Sequence, residues 1–279
     1  MTYKTILVHV DETARCATRL DVAFELARAF GAHVAALALA PDISVPPSVE
    51  VAYGPELAAA HERAIRETLD PAKSEFSQRA RRAGVPATEW REARGDPVAA
   101  AALHARYADL LIVGQSDPGD ARSRPARGFL EQLILSAGRP ILVIPYAGQF
   151  TGIGSKALVA WNASRESTRA VTDALPLLER AKSVAVVVVD PQDAAGDHGD
   201  TPGGDVSLYL ARHGVKAMAY PTPSGGVDVG DVILSRASDL GADLIVMGAW
   251  GRSRARELIM GGATRSLLEH MTVPVLLSH

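Results

Sequence analysis

Short apolar runs alternate along this chain with stretches of helical period. ILVHV (6–10) opens the pattern; Leu20, Ala23, Phe24 and Ala27 then fall at i, i+3, i+4 and i+7, one face of a helix that Gly31 stops. HVAALAL predicts a second strand. A long charged helix follows from about Pro55 to Ala83 and ends at Gly84. ATEWREA, VAAAALHARYA and DLLIV read as strand, helix and strand; a helix over about Gly128–Ala137 and the strand PILVIP complete the set. Strands that are apolar nearly throughout, separated by helices, predict a parallel sheet covered on both faces.

The pattern then begins again. KTILVHVD (4–11) is echoed by SKALVAWN (155–162), ADLLIVG (108–114) by ADLIVMG (242–248), and GRPILVIPY (138–146) by TVPVLLSH (272–279). Gly114 and Gly248 are 134 positions apart, and so are Pro140 and Pro274. A repeat of roughly 125–150 residues is a duplicated domain, too long for a solenoid unit. The expected domains are 1–147 and 155–279, joined by the glycine-containing AGQFTGIG. In the second unit Val171, Ala174, Leu175 and Leu178 share one helical face, with Pro176 inside it expected to kink the helix or spoil one hydrogen bond. DPQDAAGDHGDTPGGD (190–205) reads as a mobile loop. The expected fold is α/β: two tandem doubly wound units, each a five-stranded parallel sheet with helices on both faces.

Composition narrows the partners. Of 279 residues 47% are hydrophobic, enough for a sizeable core, but only 5% are aromatic, which argues against a base-stacking platform for nucleic acid. A net charge of −3 supplies no basic field for nucleic acid or anionic lipid. The single cysteine, Cys16, excludes an internal disulfide and fits a reducing compartment; it reads as a small residue at a helix start rather than a reactive thiol. The N-terminal apolar run is too short for a signal peptide, and no stretch approaches the roughly 20 apolar residues of a membrane span. The expectation is a cytoplasmic protein without membrane contact. The eight histidines show no metal-ligand spacing, and no nucleophile–base arrangement or carboxylate pair can be made out. His9, inside the first strand, reads as a packed or dimer-edge residue.

The chemistry concentrates after the strand ADLIVM. GAWGRSRARELIMGG (248–262) carries Gly248-x2-Gly251-x9-Gly261-Gly262 and leads into a helix. In an open parallel sheet, ligands sit beyond the carboxyl ends of the strands. Glycines let the backbone approach an anion, and a helix N-terminus offers free N–H groups. The stretch lacks the Gly-Lys-Ser/Thr of a P-loop and the closely spaced glycines of the dinucleotide fingerprint. It resembles the nucleotide-binding motif of the universal stress protein family, in element order and length over nearly the whole chain.

That resemblance implies an adenine nucleotide alpha hydrolase-like fold. It also implies that the last strand–loop–helix grips the triphosphate of ATP, accompanied by Mg, while a residue ending the first strand lies near the ribose. Carried onto this chain, the nucleotide-binding residues are Ala160, Asn162, Val189, Gly248, Gly251, Arg252, Gly261, Gly262, Ala263 and Thr264. Two departures stand out: Asn162 replaces an Asp, and Gly262 stands where the family has Ser or Thr. The first unit keeps Asp11, but by the offset of 134 its loop places Asp117 and Arg127 where the second has Gly251 and Gly261, and Pro118 lacks an N–H, so it reads as degenerate.

Several features have a plainer reading alongside. The glycines could serve turns and caps alone. Arg254 and Arg256 read as a solvated face. Asn162 is a ribose contact or a turn residue, with Ser164 a credible N-cap, and Trp161 reads as core rather than a base-stacking residue. SGGVD (224–228) resembles a pyrophosphate loop of adenylating enzymes but follows the third strand and reads as a turn. The function expected is binding rather than catalysis: a stress-response protein that senses or stores adenine nucleotide in its second domain and presents a nucleotide-dependent surface to a protein partner. The alternative is a scaffold with structural glycine loops. The two fifth strands, apolar and at a sheet edge, are expected to pair within the chain, and two chains to associate further as a homodimer.

Overall fold

The structure, a computed structural model, describes residues 2–40, 47–85, 87–120, 128–191, 201–249 and 262–279, leaving aside the side chains of 47–53. The first half runs β1 (Thr5–Val10), α1 (Cys16–Phe30), β2 (His33–Leu39), α2 (Pro47–Arg82), β3 (Thr88–Ala93), α3 (Pro97–Ala105), β4 (Leu110–Gly114), α4 (Phe129–Ser136) and β5 (Ile141–Ile144). The second runs β6 (Lys156–Ala160), α5 (Arg165–Leu178), β7 (Ser183–Val189), α6 (Gly204–Arg212), β8 (Ala217–Thr222), α7 (Val229–Leu240), β9 (Leu244–Gly248), α8 (Gly262–His270) and β10 (Val275–Ser278). The long helix begins at Pro47, earlier than the expected Pro55. Pro47 stands in its first turn, where a missing N–H costs nothing, and Pro55 lies inside the helix. Pro176 likewise stays inside α5. Most of the loop expected over 190–205 lies outside the described residues, and its end forms the start of α6.

The ten strands form one sheet in the order β3-β2-β1-β4-β5-β10-β9-β6-β7-β8. Neighbours are parallel throughout except β5 and β10, which run antiparallel with Ile141, Leu142 and Val143 opposite Leu277, Leu276 and Val275. Two apolar strands that would each have been a sheet edge thus cover one another, as the sequence pattern anticipates. The outer edges are blunted differently. β3 carries Glu89, Arg91 and Glu92. In β8 the carbonyls of Lys216 and Thr222 accept from β7, so alternation turns the backbone of Pro221 outward, where its missing N–H offers nothing to pair.

Each face of the sheet carries a core that spans both halves. One packs α1, α2, α5 and α6 around Ile6, Leu110, Leu142, Val159, Val246 and Leu276. The other packs α3, α4, α7 and α8 around Leu7, Leu111, Val143, Leu158, Ile245 and Leu277. Like helices therefore share a face, and the halves are related by a pseudo-twofold axis normal to the sheet. Polar contacts fix the seam. The Tyr3 hydroxyl donates across it to the Asp173 carbonyl at 2.7 Å, and within the second half the Ser278 hydroxyl holds the Asp173 carboxylate at 2.9 Å. The amide of buried Gln115 donates to the carbonyls of Leu268 and Glu269 in α8, while its oxygen accepts from Tyr146 N–H. The connection 147–154 is held too: Gly152 N–H donates to Glu25 and Gly154 N–H to Asp243.

Candidate functional site

In the second half, β6 lies between β7 and β9, so the connections leaving β6 and entering β9 part company there. This is the strand-order reversal beyond whose carboxyl ends an open α/β sheet leaves a crevice. Ala160 stands opposite Met247 on β9 and Val187 on β7, one residue before Gly248 in register. Ala160 and Val189 pack toward the α7–α8 face, whereas Trp161 turns to the α5–α6 face. Trp161 is thus partly buried against the core, as read from the sequence. Asn162 makes the turn into α5: its Oδ1 accepts from Ser164 N–H at 3.1 Å, and Ser164 Oγ caps the helix by accepting from Ser167 N–H at 3.1 Å.

Gly248 is demanded by packing. A Cβ built on it would collide with the backbone nitrogen of Ser167 and approach Glu166 Cβ to 2.8 Å. The first turn of α5 therefore rests directly on the end of β9. Gly262 differs: the nearest atom to a Cβ there is Asp228 Oδ2 at 3.6 Å, ordinary van der Waals contact, so a side chain fits. Gly262 and Ala263 open α8, and Thr264 is buried in its first turn. The Ala263 carbonyl lies 2.7 Å from where a Cβ on Gly230 would be, so α7 and α8 start in close contact. Gly251, Arg252 and Gly261 lie outside the described residues, as do Arg254 and Arg256.

SGGVD is a turn, and more than a turn. Ser224 N–H donates to Asp190 Oδ1 at 2.8 Å, and Asp228 caps α7 by accepting from Gly230 N–H at 2.8 Å. Two carboxylates, Asp190 at the end of β7 and Asp228 beside Gly262, therefore border the crevice. In the sequence both stand only as parts of a turn or a loop; the Asp-x-Gly cap of α7 is the signal for the second. Among the described residues no group of three acidic, histidine or cysteine side chains could hold a metal.

At the matching strand-order reversal of the first half, between β1 and β4, an arginine of α1 is packed against Asp11 and Gly114. Arg19 is buried, with 2% exposure. Its guanidinium reaches Asp11 Oδ1 at 2.5 Å and donates from Nε to the His9 carbonyl at 3.3 Å. Its Cδ and Cζ stand 3.3 Å from where a Cβ on Gly114 would be. Asp11 Oδ1 also accepts from Thr13 Oγ1 at 2.6 Å and Thr13 N–H at 3.0 Å. Burial pushes the Asp11 carboxyl up, but Arg19, His9 and the Thr13 hydrogen bond together hold it below its ordinary value. The apolar stripes align Arg19 with Ala170, so the second half has a methyl where the first has a guanidinium. Arg19 escaped the sequence reading because the stripe was counted from Leu20. Asp117 folds onto its own loop, accepting from Gly119 N–H at 2.8 Å; Arg127 lies outside the described residues.

His9 is packed, its ring 5.7 Å from that of Phe129. Burial lowers its pKa from 6.5 to about 4, with Asp11 pulling upward and Arg19 downward. A histidine that stays neutral when folded takes up its proton more readily unfolded, so its contribution is intact above pH 6.5 and declines as pH falls toward 4. Its side chain keeps 15% exposure, which trims the effect to about 1–2 kcal/mol. Urea titrations at pH 7 and pH 4.5 should show this loss in the wild type and a shallower one in His9→Gln; equal slopes would exclude it.

No curated protein matches the chain. Among solved structures, a universal stress protein from Archaeoglobus fulgidus DSM 4304 superposes with a TM-score of 0.74 at 15% identity, over 98% of this chain and 95% of that one. A functionally unknown protein from Pseudomonas aeruginosa PAO1 does so with a TM-score of 0.63 at 17% identity, over 99% and 92%. At such identities the likeness is one of fold. The sequence model of the Universal stress protein family, however, matches residues 2–145 and again residues 155–279. Matched once by each half, the chain belongs to the universal stress protein family as a tandem member.

Proposed function

We propose that the second half binds an adenine nucleotide, ATP in the first instance, and that the chain acts as a sensor or regulator whose partner surface depends on that binding. The observation that supports the reading is that β9 ends at Gly248 beside β6, at the strand-order reversal, and that Gly262 at the start of α8 leaves the first helical turn open. Backbone N–H groups there, with those of Gly251 and Gly261 and the Arg252 side chain, would hold phosphate oxygens. Asn162 would face the ribose, and Ala160 and Val189 the base. Asp190 and Asp228 add negative charge, which a Mg ion carried by the triphosphate would offset. The first half, with Arg19 packed at its strand-order reversal, would take no nucleotide. Nothing in this reading requires turnover.

Titration calorimetry with MgATP should give at most one site per chain. Gly251→Trp should weaken it at least tenfold without lowering the melting temperature, whereas Gly262→Ser, adding a hydroxyl where a Cβ fits, should tighten it. Unchanged affinity in Gly251→Trp, or two equivalent sites, would overturn the assignment. A scaffold with structural loops is the second reading, favoured by one observation: α5 packing demands Gly248 whatever the ligand. Mass spectrometry of nucleotide released from freshly purified, denatured protein separates the two.

A further inference from the structure

A cleft of about 280 Å³ opens between α5 and α6, on the sheet face away from Ala160 and Val189. Its floor is apolar: Val171 and Val206 are buried, and the rings of Trp161 and Tyr209 stand against the same core. Tyr209 is steadied by His213, ring centroids 4.7 Å apart. Two threonines on the α5 wall look polar in sequence and are not polar toward the cleft. Thr168 Oγ1 donates to the Ser164 carbonyl at 2.9 Å and Thr172 Oγ1 to the Thr168 carbonyl at 3.0 Å, so both hydroxyl protons are spent on their own helix.

Among the described residues, one charged side chain lines this cleft. Asp205, in the first turn of α6, lines the cleft with an exposed carboxylate. The cations of α5 are engaged elsewhere: Arg169 with Asp173 at 3.6 Å and the Gly138 carbonyl at 2.7 Å, Arg165 with Glu166 at 3.8 Å. Among the described residues no cation pairs with Asp205. Two aromatic side chains, aliphatic walls and one carboxylate suit a ligand that is apolar on its surface yet positively charged. Alkyl groups around a nitrogen give that combination, since they bury well while their charge is drawn to the rings and the carboxylate. An anion would meet Asp205, and a bare metal ion would gain nothing from the walls.

We propose that the α5–α6 cleft is a binding site for a small alkylated ammonium ion, held between Trp161 and Tyr209 with its charge toward Asp205. The site is separate from the nucleotide reading and does not depend on it. The test titrates full-length protein with choline and with neohexyl alcohol, its uncharged isostere, following tryptophan emission. Choline should give a saturable change at a concentration at least tenfold lower than the alcohol. Asp205→Asn should weaken choline about fivefold or more and leave the alcohol unmoved, and Trp161→Phe should remove the response. Thr172→Lys, which sets an ammonium in the cleft wall, should block choline even if Asp205→Asn proves unstable. No response to choline at millimolar concentration, equal affinity for choline and alcohol, or choline binding unaffected in both Asp205→Asn and Thr172→Lys overturns the proposal.

Discussion

Replacing Arg19 with alanine is expected to lower the unfolding free energy by about 3–4 kcal/mol, the range for breaking a buried ion pair from one side. The guanidinium is buried, and its removal leaves Asp11, with 27% side-chain exposure, beside an empty volume. Thr13 alone cannot compensate the charge. The Asp11 carboxyl, held low by this arrangement, should then protonate at higher pH. The sign follows from the direction of the shift: a depressed carboxylate stabilises the fold above its ordinary value of 3.8 and loses that contribution as pH falls through the folded value. Arg19→Ala should therefore cost most at neutral pH and least in acid. Guanidinium unfolding of the single variants and of Arg19→Ala/Asp11→Asn checks it, because the double variant should recover part of the loss. If Arg19→Ala costs under about 1 kcal/mol at pH 7, the pair contributes little to the fold.

Gly248→Ala should cost about 2–3 kcal/mol with no ligand present. The added methyl meets backbone rather than a mobile side-chain tip, so α5 must lift from β9 or β9 must shift. Either movement disturbs Ser164 and Asn162 as well, and nucleotide binding would fall with stability. The effect of this glycine on binding cannot by itself argue for phosphate contact, whereas Gly262→Ala, at a position with room for a Cβ, should leave stability within about 1 kcal/mol. Thermal unfolding of the two alanine variants side by side makes the distinction. Equal losses would mean that α5 does not rest on Gly248.

Alternation of apolar runs and helical stripes determined the element order, the duplication and the parallel sheet, because these follow from the period of side-chain placement along a backbone of known geometry. The helix that begins at Gly262 was legible for the same local reason, and the apolar fifth strands foretold their own pairing. What no local pattern carries is which side chain enters a space made by elements far apart in sequence. Arg19 lies on α1 but packs beside Gly114, at the end of β4. Asp228 caps α7 yet borders Gly262, on α8. Gly248 reads in sequence as a phosphate-loop glycine; that it also seats α5 shows only in the packing. Gln115, Asp173 and the methyl faces of Thr168 and Thr172 acquired their roles only when the sheet brought distant helices together. Burial and close approach are properties of pairs of elements, and the tertiary structure alone decides them.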